Sequence, residues 1–418
     1  MIDSGAPAMD IINVLRQHAD FRRLWISSVL SETGSAFSLA ALPLYVIQQS
    51  HSYTLAGILA TVGFIGTVVM RIPGGFMADR WPRRVVLMIS AAIGALAMSL
   101  VSLCVAWHPS FQYWIIGLAW SVNGFVGSAA AVVQSAAVTR TLGDGDAQRG
   151  FAAWQAQYAA TTLVGPLLGG LTFTIAPTLP FAIDAVSFVM ELIVLSRIRQ
   201  SLGEGKPVAM TRSEVWRGLS MVIQDRFLRV YAVTNGVMNV ASQGMLYAMV
   251  FWMATKGGID VGVGFVVLAL GSLVGSALSP RLKSHRYQRL LVALVGAYVL
   301  AGLAGYLAMT PWVAVGALAV ASLTGQPPSV VLSSHIMMAI PDPLRGRVQG
   351  GLFLMGSALY PFGTLITGAV ASSWSINGAF AVWGLVAMAS LLAFSIPGWR
   401  LPGDGYRYLS TPQRSIGR

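Results

Sequence analysis

Asp79-Arg80-Trp81-Pro82-Arg83-Arg84 is a short basic stretch set between two long apolar ones. The gaps on either side of those apolar stretches, near residues 49–54 and 108–111, hold no Lys or Arg. Working outward in both directions, the alternation persists. Of the chain's 27 Lys and Arg residues, Arg71 alone lies inside an apolar stretch and Lys256 alone lies in the other set of gaps. Every remaining cation falls in the set that contains Arg80. This is the positive-inside pattern of a polytopic membrane protein. It predicts an even number of spans with both termini cytoplasmic, in a cell membrane that for a bacterium would be the inner one.

Composition agrees. The chain of 418 residues is 55% hydrophobic and 10% charged, whereas soluble domains carry about 25% charged residues. Too little charge is available to cover a surface against water, so lipid must cover it. The net charge of +12 would suit nucleic acid, but the basic residues are scattered over short gaps and gather on no domain, so no nucleic-acid partner is expected. The single cysteine, Cys104, excludes a disulfide or a zinc-cysteine cluster within the chain. Histidines 18, 51, 108, 285 and 335 have no metal-ligand spacing, and no G-x-x-x-x-G-K-[ST] loop is present. No metal, no cofactor, no ATP hydrolysis and no enzyme activity are therefore expected.

A spanning helix needs about 20 mostly apolar residues. Twelve stretches qualify: 24–48, 55–78, 84–107, 112–137, 150–174, 179–198, 229–253, 260–282, 289–308, 311–338, 348–372 and 376–397. The expected organisation is an amphipathic N-terminal segment (1–23), a six-helix bundle (24–198), a linker with an amphipathic surface helix (199–228), a second six-helix bundle (229–397) and a tail (398–418). The halves repeat one another. Asp146-Ala147-Gln148-Arg149-Gly150 precedes the fifth span, and Asp342-Pro343-Leu344-Arg345-Gly346 precedes the eleventh. Gly165-Pro166 and Tyr360-Pro361 follow at matching offsets, and Ser121-Val122-Asn123-Gly124 matches Ser322-Leu323-Thr324-Gly325. Such a repeat is the build of many secondary transporters, with the ligand site between halves at mid-membrane.

The loop Gly75-Phe76-Met77-Ala78-Asp79-Arg80-Trp81-Pro82-Arg83-Arg84 resembles the G-x-x-x-D-R-x-G-R-R/K signature of the major facilitator superfamily, with Pro82 in place of the usual glycine. Gly165-Pro166-Leu167-Leu168-Gly169-Gly170 resembles the core of the antiporter signature of proton-coupled drug exporters; Ala152 and Thr161 stand where its longer form has glycines. Phe21-Arg22-Arg23-Leu24-Trp25, Asp184-Ala185-Val186-Ser187-Phe188 and Pro341-Asp342-Pro343-Leu344-Arg345-Gly346-Arg347-Val348 are similar to the macrolide- and siderophore-efflux branch. The resemblance implies an all-α fold of twelve transmembrane helices in two pseudo-symmetric bundles. It also implies that Gly75, Asp79, Arg80, Arg83 and Arg84 form a conformational latch, and that Gly165, Pro166, Gly169 and Gly170 form an antiporter-type motif.

Glu32, Arg71, Asp184 and Glu191 are ionisable residues within spans, each costing at least a few kcal/mol if unpaired near the membrane centre. Glu32 and Arg71 fall at equal depth, about 12 Å from the same membrane face, on neighbouring helices. They are the proton-coupling candidates; a static ion pair, or an Arg71 that reaches toward the headgroups, are the other readings. The branch often has an acid directly after the glycine of the first helix, where this chain has Ser35 after Gly34. Asp184 is expected near the outer surface and hydrated, Glu191 hydrogen-bonded to backbone of the third or fifth span, and both too far from Glu32 to act with it.

By the same resemblance, spans one, four, seven and ten line the substrate path. The binding candidates are Asn123, Gln134, Asn235, Asn239, Gln243 and Gln326, with Pro327-Pro328 expected to break or bend the tenth span. Amides among apolar and aromatic groups suit a bulky, partly apolar ligand, and they could equally be hydrogen-bond glue between helices. The expected function is export of small, partly apolar molecules by proton antiport with alternating access. A dedicated siderophore or metabolite exporter, and a non-transporting receptor or assembly factor on the same fold, are the alternatives. Partners would be the substrate, protons and the bilayer, with the protein a monomer.

Overall fold

The computed structural model describes residues 7–199, 202, 219–279, 287–340 and 342–390. Regular structure among these residues is helical, with no strand. In chain order the helices are α1 (Pro7–Gln17), α2 (Ala19–Ser50), α3 (Tyr53–Arg80), α4 (Arg83–Trp107), α5 (Gln112–Ile175), α6 (Leu179–Ser196), α7 (Arg226–Ala254), α8 (Gly258–Leu278), α9 (Tyr287–Leu307), α10 (Pro311–Ala339), α11 (Asp342–Ser357), α12 (Tyr360–Ser373) and α13 (Ile376–Ala389). Ten segments among the described residues are long and apolar enough to cross a membrane, and α13 is a shorter apolar helix. α10 is helical through the tenth expected span, but its side chains from 330 to 339 lie outside the described residues. Of the expected linker helix, residues 219–224 are helical and 203–218 lie outside the description.

Helix ends follow local chemistry. Ser52 caps α3 by accepting the Leu55 amide at 3.2 Å. α2 and α4 each end on a histidine in the left-handed region, His51 at φ 52° and His108 at φ 48°, whose amides close onto Ile47 and Cys104 carbonyls. The α3–α4 link is only Trp81 and Pro82. Trp81 is extended, as a residue before proline should be. Pro82 sits at φ −56°, so this position needs no glycine.

Two differences from the expected spans have physical reasons. The fourth and fifth spans are one continuous helical run, α5, of 64 residues. A straight helix of that length would reach about 96 Å, far beyond a bilayer. It folds back instead: Gly117 lies against Leu59 near the start of α3, Asp146 meets His18 at the start of α2, and Gly169 lies against Phe37. The two apolar spans within α5 are Gln112–Leu142 and Gln148–Ile175. The eleventh span, by contrast, is interrupted. Ala358 and Leu359 form a turn between α11 and α12, just before Pro361, which lacks the amide that would continue the helical ladder back to Ser357 and fits instead in the first turn of α12.

Pro327 and Pro328 do not break α10, which runs on through both. Pro327 leaves the Leu323 carbonyl without its helical donor. Gly275 of α8 lies directly on that carbonyl, and a Cβ there would stand 3.0 Å from its carbon. The absence of a side chain allows the close crossing.

The chain forms two compact units, Met1–Ala209 with Val250–Val266, and Met210–Met249 with Val267–Arg418. In the first, α5 packs on α2, α3 and α4, and α6 packs on α2 and α4. At its basic end, α1 docks through Val14 into a cluster with Phe21, Leu24, Leu87, Val138 and Leu195. Trp25 Nε1 donates to the Ala153 carbonyl at 3.1 Å. His18 Nε2 meets Asp146 Oδ2 at 3.1 Å, and Arg149 Nη1 meets Oδ1 at 3.1 Å. The His18 hydrogen bond, with Arg149 adding to it, holds the Asp146 carboxyl below its ordinary 3.8. In the second unit α9 packs on α10 and α13, and α12 on α13.

Candidate coupling and substrate site

α2 carries a stripe of serines. Ser31, Ser35 and Ser38 stand at i, i+4 and i+7 and so share a face. On α6, Asp184, Ser187 and Glu191 are spaced i, i+3 and i+7. The two stripes meet. Gly34 lets the backbones close: a Cβ there would overlap Ser187 Oγ and stand 2.8 Å from Asp184 Oδ1. Ser35 Oγ donates to Asp184 Oδ1 at 3.4 Å. Ser187 Oγ gives its proton to the Asp184 carbonyl at 2.7 Å. Such back-bonding to the helix's own carbonyls is what makes a buried serine affordable in a membrane helix.

Asp184 is 0% exposed, which corrects the hydrated position expected for it. Its Oδ2 has no hydrogen-bond partner, nor has the neighbouring Ser38 Oγ, also 0% exposed. Glu191, 3% exposed, accepts from Gln134 Nε2 of α5 at 3.4 Å and from Ser31. Its partners are thus side chains of the first and fourth spans and not the backbone expected. Glu32 and Asp184 both lie within electrostatic range of Glu191. The three acids therefore belong to one neighbourhood, contrary to the separation expected from depth.

Glu32 is partly buried and makes no hydrogen bond or ion pair with any described residue. The Arg71 side chain, and with it the expected Glu32–Arg71 pair, lies outside the described residues, as do the Asp79 side chain and the surroundings of Gly75. Among the latch residues, Arg80 is exposed. Arg83 Nη1 donates to the Ala136 carbonyl at 3.0 Å and to Leu202 at 3.2 Å. Arg84 Nη2 donates to the Ser196 carbonyl. These arginines tie the start of α4 to α5 and to the last carbonyls of α6, where a cation also suits the helix dipole.

The Gly165-Pro166-Leu167-Leu168-Gly169-Gly170 motif is a set of close backbone crossings within the first unit. A Cβ on Gly165 would overlap Ala36, and one on Gly169 would stand 2.7 Å from the Phe37 carbonyl oxygen. Gly170 faces Gly258, and Gly262 faces Leu167 and the Pro166 carbonyl, so α5 crosses the start of α8 glycine against glycine. Gly127, by contrast, faces open space.

The expected substrate amides divide. Gln134 is engaged by Glu191. Asn239 Nδ2 donates to the Gly356 carbonyl of α11 at 3.0 Å, and Asn235 Nδ2 stands over the same glycine. Gln243 lies over Gly363 of α12. Asn123 is buried with Oδ1 unpartnered. Gln326 is partly buried. Gln157, passed over in the sequence, donates to Ser28 Oγ at 2.8 Å and leaves Oε1 unpartnered. An open hollow of about 400 Å³ lies elsewhere, among Gln48, Phe173, Thr174, Pro177, Lys256 and Asp260, and includes none of the expected ligand residues.

Ser38 and Ser187 were missed, and Ser35 was noted only as standing where an acid is usual, because serines in a span read as helix glue. The signal that could have found them is positional: one polar stripe at helical spacing on α2 matches another, containing two acids, on α6.

Comparison with known proteins agrees with this architecture. Residues 24–340 match the family model described as Major Facilitator Superfamily. The chain is 25% identical over 394 residues to the protein named multidrug efflux pump Tap of Mycobacterium tuberculosis (strain ATCC 25618 / H37Rv), covering 90% of this chain and 92% of the relative. It is 22% identical over 349 residues to the enterobactin exporter EntS of Shigella boydii serotype 4 (strain Sb227), covering 81% and 82%. Among solved structures, the nucleoside transporter NupG superposes with a TM-score of 0.74 at 12% identity, over 90% of this chain and 99% of that one. A bacterial homologue of the iron transporter ferroportin in its inward-facing state gives 0.71 at 16% identity, over 90% and 97%. The match over most of the chain, joined to its all-helical membrane-spanning build, shows that this is a multi-pass transporter and belongs to the Major Facilitator Superfamily.

Proposed function

We propose that this transporter exports small, partly apolar molecules in exchange for protons, with both termini in the cytoplasm. One observation carries the choice of the proton: Glu32, Asp184 and Glu191 sit among the helices of the first unit with no cation paired to them among the described residues. Ion pairs among the described residues of this unit form at Asp20 and Asp146, at the basic end. Buried carboxylates without a counter-ion are costly, and a proton is the smallest thing that relieves them. Glu32, only partly buried and unpartnered, is the coupling residue; Arg83 and Arg84 act in the latch, and the Gly165–Gly170 crossings let α5 slide on its neighbours.

For the ligand, Asn123, with its free Oδ1, is the leading contact, with Gln243 and Gln326 as further candidates. Export follows the likeness to relatives named as efflux and export proteins. The test is transport of a compound panel into proteoliposomes under an imposed pH gradient, for the wild type and for Glu32→Gln. Gradient-driven accumulation by the wild type, lost in the variant while ligand binding is kept, supports the reading. Accumulation that ignores the gradient overturns it. A dedicated natural-product exporter is the second reading, favoured by the likeness to the enterobactin exporter; one siderophore moved and the rest of the panel refused would favour it.

A further inference from the structure

Asp184 is the most enclosed ionisable group among the described residues of the first unit's spans, and the antiport scheme above gives the coupling step to Glu32 and no step of its own to Asp184. It is 0% exposed, and the groups set around its carboxyl are neutral hydroxyls, Ser35 Oγ at 3.4 Å together with Ser38 and Ser187. Two oxygens of this pocket, Asp184 Oδ2 and Ser38 Oγ, are buried and unpartnered, one on α6 and one on the facing stripe of α2. A proton on Oδ2 removes the buried charge and makes that oxygen a donor, for which the Ser38 hydroxyl on the facing stripe offers an acceptor.

Among the described residues the surroundings offer nothing else to balance the charge. α6 packs on α2, α4 and α5. α2 contributes Glu32 and α6 itself contributes Glu191, both acids, and α5 contributes the neutral Gln134 through Glu191. From α4, the nearest charge is Arg84, which reaches the Ser196 carbonyl, roughly 18 Å along α6 from Asp184. A metal cation is poorly served as well: no group of three His, Cys, Asp or Glu side chains that could hold one comes together among the described residues.

We infer that the α2–α6 seam is a proton-binding site in its own right, in which Asp184 carries a proton on Oδ2 and donates it to Ser38. The closed seam holds the neutral acid. When α2 parts from α6 and water enters, the Oδ2–H bond breaks and the proton passes to water, leaving the carboxylate; closure reverses the step. Its use in transport rests on the antiport reading, since the seam would then count a second proton beside that of Glu32. Gly34 and the back-bonded serines make the seam close-fitting but polar, so that it can open without exposing an apolar face.

Infrared spectroscopy of the full-length protein in lipid nanodiscs tests the site without transport. The wild type at neutral pH should show the carbonyl stretch of a protonated carboxylic acid, absent in Asp184→Asn. In Ser38→Ala the band should persist at the higher frequency of an acid that has lost its acceptor. Asparagine is isosteric and can donate to Ser38, so Asp184→Asn should keep the wild-type melting temperature. No band assignable to Asp184 overturns the inference; so does a band abolished by sodium chloride but not by potassium chloride, which would make the ligand a metal cation. In proteoliposomes, Asp184→Asn should lose gradient-driven accumulation yet keep counterflow exchange. If the wild type responds to the gradient and the variant accumulates equally, the coupling role fails alone. If the wild type ignores the gradient, the antiport reading fails, and the infrared band still decides the site.

Discussion

Gly34 of α2 lies against Asp184 of α6 so closely that a Cβ on it would stand 2.8 Å from the carboxyl oxygen Oδ1. The neighbour on that side is a carboxyl pinned among hydroxyls, with little room to give. Gly34→Ala should therefore cost about 1–3 kcal/mol through overpacking, despite alanine's better helix propensity. Gly127→Ala is the matched control, because nothing stands within 4 Å of its Cβ position; it should be neutral or gain up to about 1 kcal/mol. Melting temperatures in detergent separate the two. Equal behaviour would mean that the seam is looser than described.

Glycine-on-glycine contact between α5 and α8 gives a second test. Gly170→Val should lower the melting temperature and abolish transport while leaving membrane insertion intact, because the added atoms meet the Gly258 carbonyl, with its carbon 2.8 Å from even the first of them. Backbone cannot step aside as a flexible side chain would. Full transport by Gly170→Val would remove the crossing from the mechanism.

Asn239 and Gln243 lie one turn apart on α7 and should now behave differently. Asn239 spends its amide on the Gly356 carbonyl at 3.0 Å, so Asn239→Ala should lower stability by about 0.5–1.5 kcal/mol and leave ligand preference unchanged. Gln243→Ala should shift ligand preference with little change in yield. A transport panel read beside a melting curve checks both; the reverse pattern would exchange their roles.

The α1 docking contact carries a pH dependence whose sign is fixed. Asp146 is held below its ordinary 3.8, first by His18 and then by Arg149. A carboxylate with a depressed folded pKa stabilises the folded contact above the ordinary value and loses that stabilisation as pH falls through the lowered one. The contact should stand at neutral pH and give way only in acid, below 3.8. Amide hydrogen exchange across Pro7–Gln17 should be slow at neutral pH and faster in Asp146→Asn. Identical exchange in the two proteins would show that Val14 and its apolar neighbours hold α1 without help.

Much of this molecule could be read from its residues because a membrane imposes few solutions. The alternation of arginine-rich and arginine-free gaps around Asp79–Arg84 carried the span assignment, since each span must be helical and long enough to cross. Finer features depend on local competition. Pro166 stays inside a helix while Pro361 follows a turn, although they are counterparts in the repeat; neighbouring residues and packing decide, and the proline alone does not. Depth along a helix placed Glu32 and Glu191 apart, but depth ignores how two helices cross. Only the crossing at Gly34 brings the stripe of Ser31, Ser35 and Ser38 onto Asp184 and Glu191. The amides of α7 were legible as a polar face, yet which of them would be taken up by Gly356 depended on the course of α11.

The proposed antiport requires that substrate export be driven by inward proton movement through acids with no counter-ion among the described residues. Accumulation of a transported compound in proteoliposomes, measured against an imposed pH gradient and again after a protonophore collapses it, tests this most directly. Proton antiport through Glu32 gives uptake above equilibrium that disappears with the gradient and is absent in Glu32→Gln. Undiminished uptake after the gradient has collapsed, or a Glu32→Gln protein that still concentrates the compound, would contradict it.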